Sequence, residues 1–503
     1  MSAFGQVWHH LGAQQRHPAS VPLSSKSMPL TPAHEIEAFI KAYVRELQSD
    51  SAAIFAGAGM SKAVGFVDWR ELLAEIAQEL GLDIRLEHDL IAVAQYHVNQ
   101  RGGNSDGVVK KVLQEFSEQA EPSEVHQVIA RLPVGTYWTT NYDTLIEDAL
   151  RAAFRVADVK HKIEQLTITK PKRDAVVYKM HGDVSDPHSA VLYKEQYERY
   201  HVERAPFVTA LLGDLVSKTF LFIGFSFSDP NLDYILSRLH IYGRSKRTHY
   251  CLMKAVVADD PKDQALEERR QELRVNDLKR FGIQTLLVTD YGEIPRILKL
   301  IESRFRKKTV FFSGSAEEYG AWDRQTALTF VHNLSMECVK LNFRVVNGFG
   351  WGVGSAVING ALEAIYGNPQ KFSEDQLIVR PFPQHGENLK ALWEQYRQRM
   401  ISLAGVAIFV FGNKLDDTRN LVPANGVQRE FEIAMEHGLV PVPVGATGFV
   451  AEELWNKALK DPATYYPAIE GWIVPIIREL GRKDLTPNEL VKHVLDIVQR
   501  LSK

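Results

Sequence analysis

Three short segments in the first half of the chain combine residue types that can hold a phosphate and move a proton. In Gly57-Ala58-Gly59-Met60-Ser61, which follows the apolar run Ala52 to Ala56, glycines permit close backbone approach and amides at a helix start attract phosphate oxygens. A dinucleotide fingerprint asks for a third glycine three residues after the second, yet position 62 is Lys62 and the next glycine is Gly65. Thr139-Thr140-Asn141-Tyr142-Asp143 sets an amide and a carboxylate beyond a strand, where an Asn also serves as a helix cap. Lys179-Met180-His181-Gly182-Asp183 ends a strand on an imidazole, the side chain best suited to take a proton near neutral pH, though also a common structural residue.

The second half has its own constellation. Gly348, Gly350, Gly352 and Gly354 alternate through VVNGFGWGVGSAVING, a loop able to wrap a phosphate or ribose before a helix begins, or simply a turn packed through its glycines. Ser313-Gly314-Ser315 makes another phosphate-compatible turn. Arg380 and Lys414, each at a strand end, suit an anionic ligand, and Glu430 suits a ribose hydroxyl or an amine. Each of these three charges, taken singly, also fits an ordinary surface position.

Strand-like and helix-like runs must position these groups, and they alternate along the whole chain. Strands are expected at 52–56, 136–140, 175–180, 219–225, 250–253 and 283–288, with a helix over 69–80 and another over 294–305. A second series restarts with strands at 309–315, 343–346, 377–380, 406–411 and 439–444 and helices at 322–341, 355–366, 389–402 and 427–437. The expected class is α/β: two doubly wound Rossmann-like domains with mainly parallel sheets, spanning 35–306 and 307–503. Residues 1–34 contain no Asp or Glu and are rich in Ser, Pro, His and Gln, which predicts a disordered tail; Met28 offers an alternative translation start.

Composition narrows the class. The 503 residues are 45% hydrophobic and 24% charged with a formal charge of -3, a balance that gives no global attraction to nucleic acid or membrane. Two cysteines, Cys251 and Cys338, exclude a disulfide framework and a four-thiolate zinc site. A cytoplasmic protein without a metal is the expectation.

In order, GAGxS, a T-x-N-x-D turn and HG resemble the sirtuin catalytic core, and GFSFSDPNLD (224–233) is similar to that family's later nucleotide-contacting loop. The resemblance implies NAD contacts at Gly57, Ala58, Gly59, Ser61, Asp68, Asp143, Gly224 and Ser226. It further implies that Asn141 faces the nicotinamide ribose and that His181 is the general base. No cysteine lies between His181 and Cys251, so the zinc ribbon of sirtuin deacylases is missing. NAD as a substrate to be hydrolysed is therefore expected ahead of protein deacylation, with a non-catalytic nucleotide-binding scaffold as the third reading.

Residues 307–503 resemble the SLOG superfamily of nucleotide-binding domains, without the P-G-G-x-G-T-x-x-E signature of its phosphoribohydrolases. A sirtuin-like half followed by a SLOG half resembles the effectors of Thoeris anti-phage systems, through strings such as NYDTLIE, YKMHGD, GFSFSDPNLDYILSR and RPFPQ. This implies a homo-oligomer, a tetramer or higher, that depletes NAD when a cyclic ADP-ribose isomer made by a TIR-domain partner binds the second half. Arg380 and Glu430 would then contact the signal, beside Lys414, Ser313, Gly314, Ser315 and the glycines 348, 350 and 352.

Overall fold

The computed structural model describes residues 30–116, 120–227, 229–242, 247–258, 260–383, 385 and 387–502. Seven strands form the first sheet: β1 Ala52–Ala56, β2 Thr136–Thr139, β3 Ala157–Lys160, β4 Ala175–Lys179, β5 Thr219–Ile223, β6 His249–Lys254 and β7 Ile283–Val288. Their order is β3-β4-β2-β1-β5-β6-β7, and every neighbouring pair is parallel. All five residues of β1 are buried, as a central parallel strand covered on both faces requires. Ile54 and Ala56 pack under helices Ala33–Gln48, Glu124–Arg131 and Glu293–Arg306, while Ala53 and Phe55 face helices Ala205–Ser217 and Pro230–Tyr242. Between β1 and β2 a small helical layer forms around Leu72, Ile76, Val93, Val98 and Val112, and Tyr142 joins its core.

The second sheet contains β8 Thr309–Ser315, β9 Arg344–Asn347, β10 Leu377–Val379, β11 Val406–Phe411 and β14 Val440–Pro443, all parallel in the order β10-β9-β8-β11-β14. Between the last two, β12 Asn413–Leu415 and β13 Leu421–Pro423 make a separate antiparallel hairpin. Helix Pro487–Leu501 closes the chain by burying Val494, Ile497 and Val498 in the same core as Val331 and Leu334. The two halves meet where the Arg306 guanidinium donates to the carbonyls of Ala404 and His437, and where Arg399 lies over the Phe154 ring at 5.4 Å.

Some expectations need correcting. The helix expected over 69–80 divides into Trp69–Leu72 and Ala74–Glu79, because the Leu73 amide bonds back to Trp69 and Glu71 and ends the first turn. Strand β3 escaped notice because its buried residues include Asp158 and Lys160, which pair with one another at 2.8 Å while Asp158 also holds Arg173. The expected tail ends earlier than 34: Thr31 exchanges hydrogen bonds with Leu287 of β7, and the first helix opens at Ala33. Residues 1–29, with Met28, lie outside the described residues.

Candidate active site

The carboxyl ends of β1, β2, β4 and β5 lie together at the point where the strand order reverses, and there an open α/β sheet leaves a crevice for its ligand. Gly57 to Ser61 leave β1, Asn141 and Asp143 follow β2, His181 follows β4 and Gly224 follows β5.

The first and last of these turns interlock through backbone. Gly57 N–H donates to Ile223 O and Gly59 N–H to Gly224 O, both at 2.9 Å. A Cβ on Gly57 would stand 2.4 Å from Gly224 O, and one on Gly224, whose φ is +66°, would stand 2.6 Å from Met60 N. The glycines are thus required for two loops to touch. Ala58 opens the single turn Ala58–Lys62.

Asn141 is buried and fixed by its amide, which donates to Gly57 O at 3.1 Å and to the Ser61 hydroxyl at 2.8 Å. Ser61 in turn donates to Asp143 at 2.5 Å, and the other oxygen of Asp143 receives Leu145 N–H. No described residue bonds the side-chain oxygen of Asn141, so it can accept from a hydroxyl entering the crevice.

His181 is also buried, edge-on to the rings of Tyr197 and Tyr200. Its Nε2 faces the Asn231 amide at 3.3 Å and an Asp229 oxygen at 3.5 Å. Burial pulls its pKa below the ordinary histidine value; Asp229 opposes this and Arg204 adds to it. A neutral imidazole, ready to accept a proton, is favoured. Gly182, at φ +99°, lets the chain turn against Ala190.

Two sequence neighbours of His181 tie its loop to that of Asn141. The Lys179 ammonium, fully buried, donates to the carbonyls of Tyr142 and Asp143 at 3.0 and 2.6 Å and pairs with Glu147 and Asp183. Burial alone would discharge it, but the two carboxylates outweigh that and keep its pKa raised. A lysine ending an otherwise buried strand was the available signal for this role. Asp229 and Asn231 were also missed, although they stand in the quoted GFSFSDPNLD string.

Asp68 and Ser226 sit differently. Asp68 caps helix Trp69–Leu72, accepting from Arg70 and Glu71 amides, and pairs with Lys62 at 2.5 Å. The Ser226 carbonyl accepts from Arg274. Cavities of about 580 and 220 Å³ open elsewhere, the first along the edge strand β7 between Leu30, Thr31, Ile283 and Leu287, the second at the amino ends of β1 and β2 by Asp50, Gly135 and Thr136.

In the second sheet Ser313 of β8 donates to Glu430 of helix Asn425–Glu436 at 2.6 Å. Arg397 approaches the other Glu430 oxygen at 3.6 Å and covers the Phe382 ring at 5.0 Å. Burial raises the Glu430 pKa against the pull of Ser313 and Arg397. Arg380 follows β10 with its N–H on Asn347 O, and burial and the nearby Arg399 lower its pKa. Lys414, on the hairpin, donates to Asn425, and Ser315 to the Asn413 carbonyl. Gly350 and Gly352 press on the backbone of Gly314 and Ala316, where a Cβ would come within 2.0 and 1.8 Å of their carbonyl oxygens, and Gly348 packs on Phe382 and Met400. Arg397 had no local sequence signal, being one of several charges on helix Leu389–Ile401.

Among the described residues no group of three or more His, Cys, Asp or Glu side chains could hold a metal ion, and no helix is long and apolar enough to cross a membrane.

Residues 135–277 match the SIR2-like domain family, and residues 293–501 match the Sir2- and TIR-associating SLOG family. Among curated proteins the chain is 49% identical over 471 residues to the NAD(+) hydrolase ThsA of Bacillus cereus (strain MSX-D12), covering 93% of this chain and 98% of that protein. Identity to the ThsA of Cytobacillus dafuensis is 43% over 483 residues, covering 92% and 96%, and to that of Acinetobacter baumannii (strain 532279) 41% over 478 residues, covering 93% and 99%. At that identity and coverage, with a SIR2-like crevice and a SLOG sheet in one polypeptide, the chain belongs to the ThsA family of NAD(+) hydrolases.

Proposed function

We propose that this protein hydrolyses NAD to nicotinamide and ADP-ribose in the crevice of the first sheet, and that a nucleotide signal bound at the second sheet switches it on. Family membership carries the hydrolase activity. The observation that carries the site is the Asn141–Ser61–Asp143 chain after β2 together with the buried His181 after the neighbouring strand β4. Nicotinamide leaves as a neutral molecule, and the ribose centre becomes oxocarbenium-like, so the protein must chiefly hold the ribose and deprotonate water. Asn141 holds a ribose hydroxyl through its free oxygen, Asp143 and Ser61 support it, and His181 takes the water proton. Gly57, Ala58, Gly59 and Gly224, with Asp68 and Ser226, flank the nucleotide.

The signal in this reading is a cyclic ADP-ribose isomer supplied by a TIR-domain partner, a pairing supported by the family name of residues 293–501. Its phosphates meet Arg380 and Lys414, and its ribose hydroxyls meet Glu430, with Ser313, Ser315 and the 348–352 loop around them. The setting is anti-phage defence by NAD depletion, in the cytoplasm, by a homotetramer or larger assembly. Purified full-length protein with Asn141→Ala or His181→Ala, assayed for nicotinamide release, tests the catalytic half. Both variants should lose about 100-fold or more in rate, with a melting temperature only a few degrees lower because each removes a buried side chain with its contacts. Full activity in either would overturn its assigned role.

A further inference from the structure

The loop after β5 brings one carboxylate against His181, and its two oxygens are divided between two tasks. Oδ1 of Asp229 accepts Leu232 N–H at 2.9 Å and caps helix Pro230–Tyr242. Oδ2 faces His181 Nε2 at 3.5 Å, while Asn231, two residues further on, brings its amide to 3.3 Å of the same nitrogen. Both side chains are largely withdrawn from solvent: Asp229 retains 14% exposure and Asn231 is buried. The remaining surroundings of the imidazole are the rings of Tyr197 and Tyr200 and the cation of Arg204, whose guanidinium is itself held by the carbonyls of His161 and Ser189. On its own loop, Asp183 is neutralised by Lys179. Asp229 is therefore the carboxylate that faces His181 directly among the described residues.

We propose that Asp229 is a positioning residue for NAD hydrolysis: it orients the His181 ring through Nε2 and balances the positive charge that ring acquires. The proposal rests on His181 being the base. In the step it serves, the oxygen of water bonds to C1′ of the nicotinamide ribose. The C1′–N bond breaks with its electron pair passing to nicotinamide, which leaves neutral. One water proton moves to His181, and the imidazolium formed lies against the Asp229 carboxylate until solvent takes the proton. With Nε2–H directed at Asp229, the lone pair that receives the proton is on Nδ1. The Asn231 Nδ2 stands 3.3 Å from Nε2, and in the proposed arrangement that amide is turned so that its oxygen meets Nε2–H and both side chains accept from the ring.

The test is steady-state nicotinamide release by full-length Asp229→Asn, Asp229→Glu and His181→Ala between pH 5 and 9, with whichever cyclic ADP-ribose isomer gives the highest wild-type rate. Asparagine caps a helix as well as aspartate, so Asp229→Asn keeps the fold. Its kcat should fall about 10- to 100-fold with KM for NAD unchanged. The acid limb of its pH profile should also move to lower pH, since loss of the carboxylate removes what favours the protonated ring. Asp229→Glu should recover part of both. A merely structural role would give Asp229→Asn a lower melting temperature and a reduced rate with the acid limb unmoved, and that result would overturn the proposal, as would wild-type kcat. An active His181→Ala would remove the base assignment itself, which separates that failure from failure of the Asp229 role.

Discussion

The side-chain amide of Asn141 donates to the hydroxyl of Ser61 at 2.8 Å, joining turns 80 residues apart in sequence. Ser61 passes the bond on to Asp143, so one hydroxyl satisfies the amide and the carboxylate together. Because Nδ2 is committed to Ser61 and Gly57, the orientation of Asn141 is set before any nucleotide enters.

Ser61→Ala should loosen Asn141 without removing it. Two hydrogen bonds worth about 1 kcal/mol each are lost, and a buried carboxylate oxygen loses its donor. Nicotinamide release should fall about 10-fold, with a melting temperature a few degrees lower. Unchanged kinetics would show that Asn141 needs no partner.

The glycine interlock predicts a different failure. Gly224→Ala places a methyl 2.6 Å from Met60 N at a left-handed backbone position. The loops after β1 and β5 must separate, at a cost of about 1–3 kcal/mol. Calorimetric titration with NAD should show binding weakened at least 10-fold, whereas Gly213→Ala, on an exposed helix face with open space around it, should bind normally.

Much of this was legible in the sequence because parallel strands buried on both faces are continuous apolar runs, as in Ala52–Ala56 and Val406–Phe411. The motif glycines, Asn141 and His181 stand at strand ends, where local pattern and topology agree. What escaped was set by tertiary pairing. Lys179, Asp229 and Arg397 gain meaning only from partners on other elements, and β3 hides its strand character behind the Asp158–Lys160 pair. The hairpin β12–β13 is short and exposed; its turn is organised by Asp416 accepting from Thr418 and Asn420, which leaves no apolar run to read.

Stability should depend on pH through His249. It is buried with Nδ1 accepting from Phe220 N–H, and burial lowers its pKa to about 4, with Arg247 adding to the shift. The unfolded chain binds a proton near the ordinary histidine value, about 6.5, while the folded chain does not until near 4. Its burial therefore adds no pH-dependent cost above pH 6.5, and stability falls as pH drops through that window, by about 2 kcal/mol at pH 5. Denaturant unfolding at pH 7.5 and 5.0 should show the loss, and His249→Gln should reduce it; an unchanged pH dependence in that variant would exclude His249 as the source.

The claim that the second sheet gates the first is tested most directly by nicotinamide release from NAD, with and without cyclic ADP-ribose isomers, for wild type and Arg380→Ala. Wild type should accelerate at least 10-fold with one isomer. Arg380→Ala should fail to respond at the same concentration and bind that isomer at least 10-fold more weakly, while Asn141, Ser61 and His181 remain in place. Full activation of Arg380→Ala, or a wild-type rate indifferent to every isomer, would contradict the account.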